Sequence, residues 1–175
     1  MNISFQEGII SSDGSRYSGF VDNVTGAFHG YGVCEFADGG RYEGSWAYGR
    51  KQGWGIWTFA ADDVLGQFEY VGGMLEDELH GYGRMTYNDG TMYDGGWCRG
   101  LRSGWGHYTE ADYGQYIGGW SNDQANGYAL RIRANGSRYE GGYKDAKREG
   151  YGSQAWADGS TYEGAWKNDT MEIGV

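Results

Sequence analysis

The stretch that decides the fold is residues 93–109, which read Tyr-Asp-Gly-Gly-Trp-Cys-Arg-Gly-Leu-Arg-Ser-Gly-Trp-Gly-His-Tyr-Thr. It opens with Tyr-x-Gly-x-Trp, and features that repeat at every second residue are typical of a β-strand. A Gly-aromatic-Gly segment of the same period begins eleven residues after the tyrosine. Two such segments joined by a few residues predict a β-hairpin.

The same pattern recurs along the chain. Tyr-x-Gly-x-aromatic occurs at residues 42–46, 93–97, 116–120, 139–143 and 162–166, with looser copies that start at Tyr17 and Tyr70. From Tyr17 onward these tyrosines are 25, 28, 23, 23, 23 and 23 residues apart. Asp-Gly or Asn-Gly precedes several of them, and such pairs are the strongest short-range signal for a hairpin turn. A fixed period of this length holds two strands and two turns, so the sequence predicts an all-β array of consecutive hairpins without substantial helix.

The register of these hairpins depends on the length of the Asp-Gly turns. With two-residue turns, the predicted cross-strand aromatic pairs are Tyr82–Trp97, Trp105–Trp120, Tyr128–Tyr143 and Tyr151–Trp166, and the predicted glycine pairs are Gly83–Gly96 and Gly106–Gly119. Glycines 95, 118 and 141 would then give each ring a flat floor to cover. A three-residue turn would move one strand of each pair to the other face, because side chains alternate along a strand.

Composition and charge exclude several classes of function. The 175 residues include 35 glycines, 16 tyrosines and 8 tryptophans but no proline, which favours sheet structure over a disordered linker. A net charge of −10 argues against binding to nucleic acid or to anionic membranes. The amino-terminal residues lack the basic and apolar regions of a signal peptide, so we expect a cytoplasmic protein.

The repeat unit resembles the MORN repeat (membrane occupation and recognition nexus), and residues 93–109 follow its pattern closely. The resemblance implies an elongated single-layer antiparallel sheet with an aromatic groove. It divides the chain into an amino-terminal half-repeat at 1–16, six repeats at 17–41, 42–69, 70–92, 93–115, 116–138 and 139–161, and a carboxy-terminal half-repeat at 162–175. The pattern is irregular at residues 60–68, where we expect a longer loop or a bulge, at Asp112-Tyr113-Gly114, and at Ala129, which replaces a repeat glycine.

No residue pattern predicts catalysis, a metal site or a cofactor. His29 and His80 occupy one repeat position, which favours a structural role, and His107 has no partner at ligand spacing. Cys34 and Cys98 form neither a metal motif nor a disulfide framework. We therefore expect no enzyme, no cofactor and no bound metal.

Opposite charges alternate between the predicted hairpin tips. Arg50-Lys51, Arg99 with Arg102, and Lys144 with Arg148 are basic, whereas residues 76–78 and 122–123 are acidic or weakly acidic. Neighbouring tips would lie about 9–10 Å apart, at twice the strand spacing. We interpret them mainly as a solvated edge, because exposed ion pairs contribute little stability.

The leading functional hypothesis is a non-catalytic scaffold that binds a peptide or helix, or a second copy of itself, through the aromatic groove. The residues predicted to line the groove are Tyr42, Trp46, Tyr82, Tyr93, Trp97, Trp105, Tyr116, Trp120, Tyr139, Tyr143, Tyr151, Tyr162 and Trp166. A homodimer could also form along the terminal strand near residue 162, whose edge is unpaired. The family resemblance implies a cytoskeletal or ciliary setting. The alternatives to the scaffold hypothesis are a phospholipid-recruitment module and a regulatory segment of a larger enzyme.

Overall fold

A computed structural model describes residues 2–111 and 114–172, which form fifteen β-strands and no helix. The chain divides into two units, residues 1–89 and 90–175. The first contains β1 (Ile3–Ile10), β2 (Arg16–Asp22), β3 (Phe28–Glu35), β4 (Arg41–Ala47), β5 (Arg50–Thr58), β6 (Gln67–Leu75) and β7 (Glu78–Tyr87). The second contains β8 (Met92–Cys98), β9 (Leu101–Thr109), β10 (Gln115–Ser121), β11 (Gln124–Ile132), β12 (Arg138–Lys144), β13 (Lys147–Ala155), β14 (Thr161–Lys167) and β15 (Thr170–Met171).

Within each unit the strands pair antiparallel in chain order, so the predicted all-β array of consecutive hairpins is confirmed. The longer loop expected near residues 60–68 is also present, and the Phe59 amide donates a hydrogen bond across its base to the Phe68 carbonyl. Two other expectations, the turn at Asp112-Tyr113 and the last three residues of the carboxy-terminal half-repeat, lie outside the described residues.

Each repeat contains two different turns, and the Asp-Gly turn is one residue longer than the two-residue turn from which the aromatic pairs were predicted. The two-residue turns follow the Tyr-x-Gly-x-Trp strand, as at Asn122 and Asp123, whose φ angles of 48° and 65° fit a type I′ turn. The Asp-Gly turns have three-residue loops. In one of them the Phe36 amide donates to the Gly40 carbonyl, and Gly39 has a φ of 92°. The prediction of two-residue Asp-Gly turns is therefore wrong.

The extra loop residue shifts every predicted aromatic pair in the second unit. Trp105 faces Gly119 rather than Trp120, Tyr128 faces Gly142 rather than Tyr143, and Tyr151 faces Ala165 rather than Trp166. The predicted pairing of Gly106 with Gly119 is wrong for the same reason, because Gly106 faces Gly118. Since side chains alternate along a strand, this one-residue shift puts the two aromatic rows on opposite faces.

We call the face that bears the Tyr-x-Gly-x-Trp rings the tyrosine face and the other the reverse face. On the tyrosine face the repeat tyrosines at 17, 42 and 70 in the first unit, and at 93, 116 and 139 in the second, are at most 3% exposed. Each of these rings lies over two glycines, except that of Tyr116, where Ala129 replaces a glycine opposite Gly118. A methyl group at Gly55 would overlap the Tyr42 ring, and one at Gly141 would lie 2.6 Å from the Tyr139 hydroxyl oxygen. The expected glycine floor is therefore present, and these rings form the core.

A β-bulge explains why the repeat uses tyrosine at this position. The register between β12 and β13 shifts between Gly141 and Tyr143, which leaves Gly142 without a paired residue in β13. The Tyr139 hydroxyl donates to the Gly142 carbonyl at 3.0 Å. The same bond to the carbonyl three residues later is made by Tyr17, Tyr42, Tyr70, Tyr93, Tyr116 and Tyr162. The tyrosine thus covers the glycine floor and satisfies the carbonyl group at the bulge.

Candidate functional site

The structure divides the thirteen predicted groove residues between the two faces. Three of them lie on the reverse face: Tyr82, Trp105 and Tyr151. The glycine that follows each of these residues belongs to the tyrosine face, and successive residues of a strand face opposite sides. The remaining ten lie on the tyrosine face: Tyr42, Trp46, Tyr93, Trp97, Tyr116, Trp120, Tyr139, Tyr143, Tyr162 and Trp166. Seven of these ten are at most 6% exposed, and only Trp120, Tyr143 and Tyr162 are partly exposed. Most of the predicted groove is therefore core.

Rings on the tyrosine face pack edge to face. Tyr139 contacts Trp166 with ring centroids 5.4 Å apart, and Tyr116 contacts Trp120 at 4.8 Å. The Trp166 indole also donates to the Gly152 carbonyl at 3.2 Å. Edge-to-face pairs at these distances add stability beyond the burial of area alone. The contact between Tyr139 and Trp166 joins one hairpin to the next, whereas Tyr116 and Trp120 lie on the same strand.

Cationic side chains cover the tryptophans at one end of the tyrosine face. The Arg102 guanidinium lies 4.2 Å from the Trp120 ring centroid and 3.1 Å from the Asp123 carboxylate of the next hairpin tip. Arg148 repeats this arrangement, 3.9 Å from the Trp166 ring and 3.0 Å from Asp169. Both arginines also donate to the backbone carbonyl of their aspartate partner. The tip charges therefore form specific contacts between neighbouring hairpins, which the interpretation as a solvated edge did not anticipate.

The first unit has one related cation, Lys51. Its ammonium group lies 3.7 Å from the Trp57 ring centroid and 3.9 Å from the Asp77 carboxylate. Burial lowers the pKa of Lys51, and the Asp77 carboxylate opposes that change. The pattern of cation, ring and aspartate thus occurs in both units.

A cleft of about 430 Å³ opens on the tyrosine face of the second unit. It is lined by Arg102, Tyr108, Tyr116, Trp120, Asp123, Ala125, Arg131, Arg133, Tyr143, Ala146, Arg148 and Asp169. Three of the predicted groove residues, Tyr116, Trp120 and Tyr143, therefore line one cavity. Sequence reasoning missed its arginines, although they belong to strands that the repeat pattern had located.

Each unit carries three exposed rings on its reverse face, and we call each set of three a reverse-face row. The row of the first unit consists of Tyr31, Trp54 and Tyr82, that of the second unit consists of Trp105, Tyr128 and Tyr151, and each ring is 53–67% exposed. Five of the six are the middle residue of a Gly-aromatic-Gly segment, and Tyr128 lies between Gly127 and Ala129. That signal was visible in the sequence, but Tyr31, Trp54 and Tyr128 were not predicted as site residues.

Carboxylates hold tyrosines of these rows in place. The Tyr128 hydroxyl donates to Glu140 at 2.7 Å, and the Tyr151 hydroxyl donates to Glu163 at 3.1 Å. Tyr31 makes the corresponding bond to Glu43. This hydrogen bond raises the pKa of Tyr128, because the Glu140 carboxylate accepts from its neutral form. The rings of these three tyrosines are thus both exposed and oriented.

Groups that could carry out chemistry are scattered. In the two described ranges, no three His, Cys, Asp or Glu side chains lie together as a metal site requires. Cys34 is buried, and burial raises the pKa of its thiol, whereas Cys98 is exposed. Across residues 2–111 and 114–172, no helix is long and apolar enough to cross a membrane.

The fold and its repeated tyrosine contact define a class of repeat protein in which consecutive β-hairpins pack side by side. The chain belongs to the MORN-repeat family, whose model matches residues 26–41, 42–64, 70–92, 116–138, 139–161 and 162–172. Residues 93–115 lie between two matched segments, yet Tyr93 makes the same hydroxyl-to-carbonyl bond as the other repeat tyrosines.

Solved structures to which the chain is similar have little sequence in common with it. One is the SAS-4 (dCPAP) TCP domain of Drosophila melanogaster in complex with a proline-rich motif of Ana2 (dSTIL), with 13% identity and a TM-score of 0.48 over 93% of this chain and 90% of that one. Another is the TCP10 domain of Danio rerio CPAP with a STIL peptide, with 12% identity and a TM-score of 0.38 over 94% and 84%. No curated protein sequence matches the chain.

Proposed function

We propose that this chain is a non-catalytic protein-interaction module that holds an extended segment of a partner protein across the reverse-face row of a unit. The observation that carries the proposal is the exposure of six aromatic rings at equivalent positions on one face of their strands. Large exposed apolar surfaces on a folded protein usually mark interaction sites. Aromatic residues are also enriched among the residues that dominate binding energy.

The spacing of the rings favours a particular backbone conformation in the partner. In the second unit Trp105, Tyr128 and Tyr151 lie on β9, β11 and β13, so neighbouring rings are two strands apart. Two strand spacings amount to about 9.5 Å. One turn of a polyproline II helix is about 9.3 Å long, with three residues at 3.1 Å each. A proline-rich segment that crosses the strands would therefore present one residue per turn to each ring.

The carboxylates of the reverse face favour basic residues beside the prolines. Glu140 and Glu163 fix the neighbouring rings by hydrogen bonds and carry negative charge next to them. Rings that are already oriented lose less conformational entropy when a partner binds. The net charge of −10 adds a long-range attraction for a basic segment.

The tyrosine face is a further part of the proposal. Trp120, Tyr143 and Tyr162 are the predicted groove residues on this face that retain exposed area for contact with a partner. The proposal also includes self-association through the aromatic face or the carboxy-terminal edge strand, and a cytoskeletal or ciliary assembly as the setting that the family resemblance implies.

The test uses a fluorescein-labelled peptide of Pro-Pro-Lys repeats and measures its binding by fluorescence anisotropy. We expect the triple variant Trp105→Ser, Tyr128→Ser, Tyr151→Ser to bind at least tenfold more weakly than the wild type, because it removes the exposed rings without touching the core. Tyr48→Ser is the control, because Tyr48 is exposed in a turn outside the row. Equal affinity of the triple variant, or no binding by the wild type, would contradict the proposal.

A further inference from the structure

The second unit repeats an arginine-covered aromatic ring on its tyrosine face, with one interruption. Arg102 covers Trp120 and pairs with Asp123, and Arg148 covers Trp166 and pairs with Asp169 in the same way. The two arginines are separated by two repeats of 23 residues each. One further cation would therefore be expected midway between them.

Alanines occupy that intermediate position. Ala125 stands 23 residues after Arg102, and Ala146 stands 23 residues after Asp123. Both the cation and its carboxylate partner are thus replaced by methyl groups, and the ring that they would cover is Tyr143. This loss of side-chain volume opens the cleft, because Ala125, Ala146 and Tyr143 all line it.

The charge around the cleft is positive in a chain of net charge −10. Four guanidinium groups line it, from Arg102, Arg131, Arg133 and Arg148, against the two carboxylates of Asp123 and Asp169. Arg131 is held at 2.5 Å by Glu110, which lies outside the lining. Arg133 is exposed, and its guanidinium group has no hydrogen bond or ion pair to any residue in the two described ranges. One cation is therefore available to an incoming group.

Hydrogen-bond donors are also in excess in the cleft. The hydroxyl groups of Tyr108 and Tyr143 have no hydrogen-bond partner among the residues that the structure describes. Burial raises the pKa of Tyr143, and the charges of Arg148, Arg131 and Arg133 oppose that effect. A ligand that supplies acceptor oxygens and negative charge would satisfy these donors. A cationic side chain in the vacant position would instead face the arginines.

We propose that this cleft binds an acidic segment of a partner protein, with an Asp or Glu carboxylate between Arg133 and the Tyr143 hydroxyl. The aromatic floor and the two alanines would pack against an apolar residue next to that carboxylate, which favours a peptide over a free anion. The site lies on the opposite face from the reverse-face row. It is therefore independent of the function proposed above.

The decisive variant fills the cleft as the neighbouring repeats do. Ala125→Arg with Ala146→Asp would place a guanidinium over Tyr143 and a carboxylate beside it, so we expect a folded protein. The probe is a fluorescein-labelled peptide of Glu-Leu-Gly repeats, and the matched probe replaces each glutamate by glutamine. We expect the filled variant to lose at least tenfold in affinity for the acidic probe, and the glutamine probe to bind at least tenfold more weakly than the acidic one to the wild type.

Two single variants test the charge. Arg133→Gln should weaken binding of the acidic probe at least threefold, whereas Arg138→Gln, which removes the same charge from the reverse face, should change it less than twofold. Unaltered binding by the filled variant, equal binding of the two probes, or no binding by the wild type would overturn the inference. The reverse-face triple variant should bind the acidic probe normally, so this proposal and the previous one can fail separately.

Discussion

At the scale of single residues, the repeat tyrosine has two functions in the fold. Its ring covers glycines of two neighbouring strands, and its hydroxyl bonds the carbonyl three residues later, as Tyr139 does to Gly142. That carbonyl lies at a bulge, where Gly142 has no paired residue in β13. Phenylalanine could supply the ring but not the bond, which gives a physical reason for the seven tyrosines at this position.

The first prediction concerns this hydroxyl. Tyr139→Phe should lower the free energy of unfolding by about 1 kcal/mol, because the Gly142 carbonyl loses its hydrogen-bond donor. Tyr128→Phe should lower it by less than about 0.5 kcal/mol, since that hydroxyl bonds an exposed glutamate. Chemical denaturation of both variants checks the difference. Equal losses would mean that the bulge carbonyl is satisfied by water.

At the scale of the hairpin, glycine is required where two strands face each other under a tyrosine ring. Gly141 faces Gly152, and a methyl group on Gly141 would lie 2.6 Å from the Gly152 α-carbon and 2.8 Å from the Tyr151 carbonyl oxygen. Those are backbone atoms, so they can move only if the strands separate. In the turn, Gly159 has open space around it but a φ of 86°. The two glycines are therefore needed for different reasons.

The second prediction separates these reasons. Gly141→Ala should destabilise the protein by about 2 kcal/mol, as expected of overpacking. Gly159→Ala should cost no more than about 1 kcal/mol, because the strain of the left-handed conformation is partly offset by a less flexible unfolded chain. Guanidinium denaturation of the two variants gives the comparison. A larger loss for Gly159→Ala would show that the turns limit stability more than the packed strands do.

At the scale of the whole molecule, the core of each unit contains tyrosines that are neutral in the folded state. Burial raises the pKa of Tyr17 and Tyr42 in the first unit, and of Tyr139 in the second, to about 12. Burial also raises the pKa of Tyr70 and Tyr116. In an unfolded chain a tyrosine loses its proton near pH 10. Between these two pH values the folded state holds more protons than the unfolded state, so stability falls as the pH rises.

The third prediction follows from that difference. The stability of the protein should be unaffected by these tyrosines below pH 10 and should fall steeply between pH 10 and about pH 12. Near-ultraviolet circular dichroism and tyrosinate absorbance, followed together, should change in one transition for the buried tyrosines. Tyr139→Phe should make the pH dependence of stability less steep. Ionisation of the buried tyrosines near pH 10 in a chain that keeps its circular dichroism would contradict the prediction.

Part of the candidate site could be anticipated from the sequence. The positions of the aromatic residues and of the glycine floor followed from the period of 23 residues and the alternation within each strand. The distribution of the rings between faces could not be anticipated, because Asp-Gly fits both a two-residue and a three-residue turn. The cleft could have been suspected from Ala125 and Ala146, which interrupt a repeat of charged residues, but only once Arg102 was known to cover a ring of the next hairpin.

The sequence by itself determined that this protein is an all-β array of hairpins, because a repeated period-two pattern with regularly placed glycines fits no other secondary structure. Only the tertiary structure decided which rings form the core and which are exposed. The Tyr93 ring is buried and the Trp105 ring is 60% exposed, although both lie in the stretch that decided the fold. The physical reason is that one additional residue in a turn shifts the register of the following strand by one, and this shift moves every side chain of that strand to the other face.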